Sequence, residues 1–198
     1  MSFHRPYQVI GFHSCDREVG IPILNGDGDL RLSKNEWDWL GPGIYFWEHN
    51  PGRALEYAID SSLSKQFNKV RIKTPYVLGA IIEPGNCLNL MEPESLSIVS
   101  EAYSALKEIS NHSGIQMPNN KGDNRKLDCA IFKYIHQSRI DNKQEPIDTI
   151  RCAFSEGQLL YPNASFTSKG HIQVCVLNVN CIKGYFLPRP VQTYNPNL

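Results

Sequence analysis

Nowhere in the 198 residues is there an apolar run near the roughly 20 needed to span a bilayer as a helix. The first residues, Met1-Ser2-Phe3-His4-Arg5-Pro6, lead into no apolar core of signal-peptide type, so the expectation is a cytoplasmic protein without a membrane partner. Net charge is missing too. Twenty Lys+Arg balance twenty Asp+Glu, which disfavours a uniformly basic nucleic-acid wrapper while leaving room for a local basic groove. The six cysteines, at 15, 87, 129, 152, 175 and 181, form no C-x-x-C pair. Without paired ligand spacing no zinc site is expected, and the thiols read as buried and free. Asn25-Gly-Asp-Gly-Asp29 lacks the Glu that completes a calcium loop, so no metal is expected there either. What is present is 41% hydrophobic and 20% charged residues, with no repeat, linker or low-complexity tract. That composition fits one globular domain over residues 1–190 with a flexible polar tail, 191–198.

Residues 7–13 (YQVIGFH) are rich in β-formers and read as a strand. Residues 20–42 carry Gly/Pro punctuation and read as loop. A short strand, 43–48, precedes Asn50-Pro51, a capping residue followed by proline at the first helical position. Ala54, Leu55, Ala58, Ile59 and Leu63 continue that helix with helical periodicity. Further strands are expected at 76–82, 149–154, 172–177 and 182–187, and helices at 93–112 and 127–139. Polar loops are expected at 114–123 and 155–170. Strands outnumber helices and are not spaced as βαβ units, and no Gly-rich turn follows the first strand. The pattern predicts an α+β domain with a mixed or antiparallel sheet rather than a doubly wound dinucleotide fold.

Three segments interrupt apolar strands with polar or aromatic residues. Gly11-Phe12-His13-Ser14 ends the first strand; a single histidine there serves either as a structural hydrogen-bonder or in a site. In Gly41-Pro-Gly-Ile-Tyr-Phe-Trp-Glu48 two glycines permit close backbone approach and three aromatics follow, either as a turn feeding a core strand or as a ligand cradle. In His171-Ile-Gln173 alternation points both polar side chains to one sheet face.

Taken in order, these segments resemble the ADP-ribosyltransferase superfamily, in its diphtheria-toxin and poly(ADP-ribose)-polymerase branch of His-Tyr-Glu type. That branch carries a His on its first strand, a Tyr in a G-x-G-I-Y-F segment and a Glu near the start of a late strand. His13, Gly41-Pro-Gly-Ile-Tyr45-Phe46 and Gln173 match in turn, with Gln in place of the Glu. Tyr57, twelve residues beyond Tyr45, is similar to the family's second, nicotinamide-stacking tyrosine. The resemblance spans residues 7–60 and 147–187. It implies a split β-sheet core with flanking helices, NAD as co-substrate and no metal. It also implies mono-ADP-ribosyl transfer to a protein or RNA acceptor, with release of nicotinamide.

The implied catalytic residues are His13, Tyr45 and Gln173, and the implied NAD-binding residues are His13, Ser14, Tyr45 and Tyr57. Tyr161 and Phe166, with Lys169 on the same loop, are the implied acceptor contacts, because the corresponding loop helps choose the acceptor in that family. A role as a toxin or defence effector, with a cognate inhibitor protein, is the context it brings. Three positions depart from the pattern: Gln173 for Glu, Ser14 for a Gly after the His, and Ala54 for a Ser on the helix. Glu48 and His171 are then the nearby candidates to compensate for the absent carboxylate. Two rival readings share these residues: a non-catalytic NAD or ADP-ribose binding module, and a relative of the RNA 2′-phosphotransferases.

Overall fold

The structure is a computed structural model that describes residues 4–5, 7–63 and 72–198. In chain order its elements are β1 (His4–Arg5), β2 (Val9–Asp16), α1 (Arg17–Leu24), β3 (Ile44–Glu48), α2 (Pro51–Leu63), β4 (Pro75–Ile82) and β5 (Gly85–Asn89). There follow α3 (Pro93–Ser113), the short hairpin β6 (Asn120–Lys121) and β7 (Asn124–Arg125), and α4 (Lys126–Asp141). The chain ends with β8 (Thr149–Phe154), β9 (His171–Val176), β10 (Ile182–Phe186) and α5 (Val191–Tyr194). Eight strands form one sheet in the order β1-β5-β8-β9-β3-β2-β4-β10, antiparallel throughout except for the parallel β5/β8 pair. The architecture is therefore α+β with a mixed sheet, as the strand spacing implies.

Period-two alternation divides the core between the two faces of this sheet. Ile44 and Phe46 of β3 and Val174 and Val176 of β9 join Leu78, Ala80 and Ile82 of β4 on one face, together with Ile23 of α1. On the other face α2 covers β2 and β4 through Phe12, Trp47, Ala54 and Val77. Helices α3 and α4 cover the far half of that face, where Ala102, Ile131 and Phe132 pack on Leu88, Ile150 and Cys175. Strand β4 is almost wholly buried, because it lies inside the sheet with both faces covered. Between α2 and the α3–α4 pair, on the same face, lies the stretch of β3 and β9 that carries the candidate residues.

Gly11 is required where β3 crosses β2. A Cβ built there would lie 2.7 Å from both Phe46 Cβ and Ile82 Cδ1. Gly11→Ala is expected to destabilise the fold by about 1–3 kcal/mol through overpacking. A urea midpoint unchanged from the parent would refute the close crossing.

Several expectations need correction. The loop expected at 20–42 begins as helix, since α1 runs to Leu24. Pro22 masks it in the sequence, but the helix is only eight residues long and Asp16 caps it, accepting from Glu18 N at 3.0 Å. Strand β5 was hidden by Gly85-Asn86, whose polar character suits an element held by buried hydrogen bonds. Asn86 Nδ2 donates to the Pro146 carbonyl at 2.7 Å, and Asn86 N to Asp148 Oδ2 at 2.9 Å. The tail expected to fray at 191–198 is anchored. Asn195 is buried, accepts from Val77 N at 2.7 Å and donates to Val77 O at 3.0 Å. Asn195 thereby continues the edge of β4 beyond β10, which no pattern local to the tail reveals. Of the six thiols five are buried and Cys152 is half-buried; all are free.

Candidate active site

Strands β2 and β3 pair only at Gly11↔Glu48 and Phe12↔Trp47, and beyond Phe12 the ladder stops. The gap is bridged by His13, whose Nδ1 lies 2.8 Å from the Tyr45 carbonyl. A carbonyl only accepts, so the neutral ring carries its proton on Nδ1 and keeps a lone pair on Nε2. Burial lowers the His13 pKa, opposed by that backbone hydrogen bond, and favours the neutral ring.

Ser14 follows at the edge of the gap. It stands opposite Val77 of β4, yet Val77 N–H is committed to Asn195. Ser14↔Val77 is therefore a non-hydrogen-bonded pair, and the Ser14 N–H and C=O turn to the opposite edge, toward the parted β3. Its hydroxyl donates to the Ala54 carbonyl on α2. The two residues that depart from the resembled pattern on β2 and α2 thus bond each other.

The glycines before Tyr45 have distinct reasons. Gly41 has φ +77°, a left-handed conformation that disfavours a side chain. Gly43 lies so close to β9 that a Cβ would strike Cys175 Sγ. The Tyr45 hydroxyl donates to Gly41 O at 2.6 Å and accepts from Leu40 N at 3.0 Å, locking the turn to the strand. Burial pushes the Tyr45 phenol far up and the Tyr57 phenol up, so both stay neutral.

The β3/β9 register pairs Tyr45 with Cys175 and Trp47 with Gln173. Cross-strand partners share a face, so Tyr45, Trp47, His171 and Gln173 all project to the side carrying α2. Tyr45 and Gln173 are diagonal neighbours, about 7–8 Å apart at this register. Tyr57 does not pair with Tyr45; its ring lies on Trp47 at 5.2 Å.

Beside this edge opens a cavity of about 520 Å³, lined among others by Trp39, Arg53, Tyr57, Asp60, Glu156 and Lys169. Of the expected site residues only Tyr57 and Lys169 line it. His13, Ser14, Tyr45 and Gln173 lie along the neighbouring strands. An ion-pair network frames the cavity. The nearly buried Arg53 reaches Glu56 at 2.5 Å through Nη1 and Glu156 at 2.9 Å through Nη2. Lys169 bridges Glu56 at 2.7 Å and Asp60 at 3.1 Å.

His171, expected as a compensating group, hydrogen-bonds the Lys169 carbonyl through Nδ1 at 2.8 Å and stacks on Phe154 with centroids 5.7 Å apart. Burial lowers its pKa. The other compensating candidate, Glu48, is excluded. Alternation turns it to the opposite face, where Arg151 grips both its oxygens at 2.5 and 2.6 Å. Tyr161 and Phe166, the expected acceptor contacts, are 58% and 64% exposed on the 155–170 loop and do not line the cavity. The loop itself is structured, by Leu160 N to Phe166 O at 3.1 Å and an isolated bridge between Leu159 and Thr167. Sequence reasoning missed Arg53, Trp47 and Glu156. An arginine one position before the apolar helix residue Ala54 was the available signal for the first.

Buried neutral histidines make stability pH-dependent. His13, His136 and His171 all have lowered pKa values, that of His136 reaching about 4, chiefly through burial. Below the unfolded value of about 6.5 the unfolded chain takes up protons that the folded state refuses. Stability is therefore expected to fall as pH drops from about 6.5, with the His136 contribution exhausted near pH 4. His136→Phe should flatten that fall in urea titrations; an unchanged slope refutes the assignment.

No protein-family model, curated protein or solved structure matches the chain. Among the described residues no group of three His, Cys, Asp or Glu side chains could hold a metal ion, and no helix is long and apolar enough to cross a membrane.

Proposed function

We propose that this protein is an NAD-dependent mono-ADP-ribosyltransferase with an ADP-ribosyltransferase-type fold. The observation that carries the reading is the parting of β2 from β3 after Phe12↔Trp47, with the Ser14 backbone edge turned toward the gap. A backbone N–H and C=O side by side match the carboxamide of nicotinamide, which offers one acceptor and one donor. Beside that edge Tyr57 and Trp47 provide an aromatic wall for the ring. Gln173 meets the nicotinamide-bearing ribose with an amide, while His13, whose ring lies on Phe46 with centroids 5.6 Å apart, holds the Tyr45 carbonyl across the gap. Cleavage of the glycosidic bond builds oxocarbenium character on that sugar, so the site must fix the sugar and release a neutral ring.

The acceptor is a protein side chain or an RNA group, and a cognate inhibitor protein fits a cytoplasmic toxin or defence role. Polymer formation is not part of the proposal. The neutral Gln173 also favours a second reading, an NAD or ADP-ribose binding module. Labelled NAD incubated with cell lysate, followed by separate protease and nuclease digestion, tests both. Label lost to one digestion only identifies the acceptor class. No transfer and no nicotinamide release, with NAD still bound, supports the binding module.

Tyr57→Ala is expected to weaken NAD binding several-fold without unfolding the chain, since an aromatic contact contributes about 0.5–1.5 kcal/mol beyond burial. An unchanged calorimetric titration refutes the stacking role.

A further inference from the structure

We infer that Glu156 supplies the catalytic carboxylate that Gln173 does not. The inference rests on the transferase reading and adds a residue to it. Glu156 lies two residues past Phe154, which pairs with His171 at the start of β9, so the loop after β8 brings its carboxylate to the Tyr57 side of the sheet. One oxygen is fixed: Oε2 sits 2.9 Å from Arg53 Nη2 and 3.7 Å from His171 Nδ1. The other, Oε1, has no hydrogen-bond or ion-pair partner among the described residues, and the side chain is one-third exposed along the cavity wall. A carboxylate oriented through one oxygen and open at the other is the arrangement a general base needs.

Glu48, Glu56, Asp60 and His171 are less suited. Glu48 is closed in its fork with Arg151 on the opposite face, and Glu56 is held by Arg53 and Lys169 together. Asp60 is tied to Lys169. His171 commits its Nδ1 proton to the Lys169 carbonyl.

In the step assigned to Glu156, the bond between ribose C1 and the nicotinamide nitrogen breaks with both electrons passing to the ring, which leaves neutral. A lone pair on the acceptor, or on water, forms the new bond to C1. The nucleophile's proton passes to Glu156 Oε1 and then to solvent. Before that transfer the same charge faces the ribose cation. The neutral Gln173 is left to orient the sugar.

The test measures nicotinamide release from NAD, NAD affinity and thermal midpoint for wild type, Glu156→Gln, Glu156→Ala and Gln173→Ala. Glu156→Gln preserves size and an oxygen for Arg53, so its midpoint and NAD affinity should stay near those of wild type while release falls about 100-fold or more. Formate, small enough to enter the cavity left by Glu156→Ala, should restore release to that variant and do nothing for Gln173→Ala. A purely structural partner of Arg53 would not show that rescue. Active wild type with Glu156→Gln within about threefold of it, or Glu156→Ala indifferent to formate, overturns the assignment and leaves the transferase reading standing. Wild type that binds NAD but never releases nicotinamide overturns both.

Discussion

Gln173→Ala is expected to lower nicotinamide release by about 100-fold, roughly 2.7 kcal/mol of transition-state stabilisation, while the Kd for NAD rises only a few-fold. Gln173 stands opposite Trp47, two register steps from the Tyr45↔Cys175 pair, on the face where Tyr57 and His171 lie. On the proposed function an amide there fixes the ribose in the geometry reached at bond cleavage, so its loss is expected in rate more than in affinity. Gln173→Glu keeps the shape and adds charge beside the forming oxocarbenium, and is expected to retain or raise release. Chromatographic assay of nicotinamide with separate binding titrations gives both quantities. If Gln173→Ala turns over NAD like wild type, the match of the third segment to the family's Glu strand is wrong, and His171 becomes the residue to test.

The largest stability effect is expected at Asn195. Its side chain satisfies both the N–H and the C=O of Val77 in the buried sheet. Asn195→Leu leaves two backbone groups without partners, at about 1–3 kcal/mol each, so the total loss should be about 2–6 kcal/mol. For a chain of this length that corresponds to a thermal midpoint lower by roughly 5–20 °C. NAD affinity should fall with it, because a Val77 freed from Asn195 can turn toward Ser14 and disturb the strand edge. A chain ending at residue 190 should behave alike. A midpoint within about 2 °C of the parent for both would show that the tail is not part of the fold.

Much of the frame was legible because it is local. Asn50-Pro51 announced α2, and Asn50 Oδ1 does accept from Arg53 N at 3.0 Å. The run YVLGAII announced a strand covered on both faces. The two glycines before Tyr45 announced close approach, and Gly41 and Gly43 meet that need in different ways. Strand β5 and helix α1 were not legible, since polar Gly85-Asn86 and an internal Pro22 speak against elements that tertiary hydrogen bonds and a short cap sustain.

By itself the sequence determined the α+β class, the GxGIYF turn-and-strand with its tyrosine, and the pairing of His171 and Gln173 on one face, because periodicity and backbone sterics act over a few residues. Only the tertiary structure decided that β2 and β3 part after two pairs and that Asn195 closes the edge of β4. It also closed Glu48 into an ion pair with Arg151 on the face opposite Tyr45 and Gln173, and set Glu156 beside Arg53 at the cavity wall. These are contacts between residues about 35 to 120 positions apart, set by sheet register and by competition among partners for buried polar groups, and no local pattern encodes which partner wins.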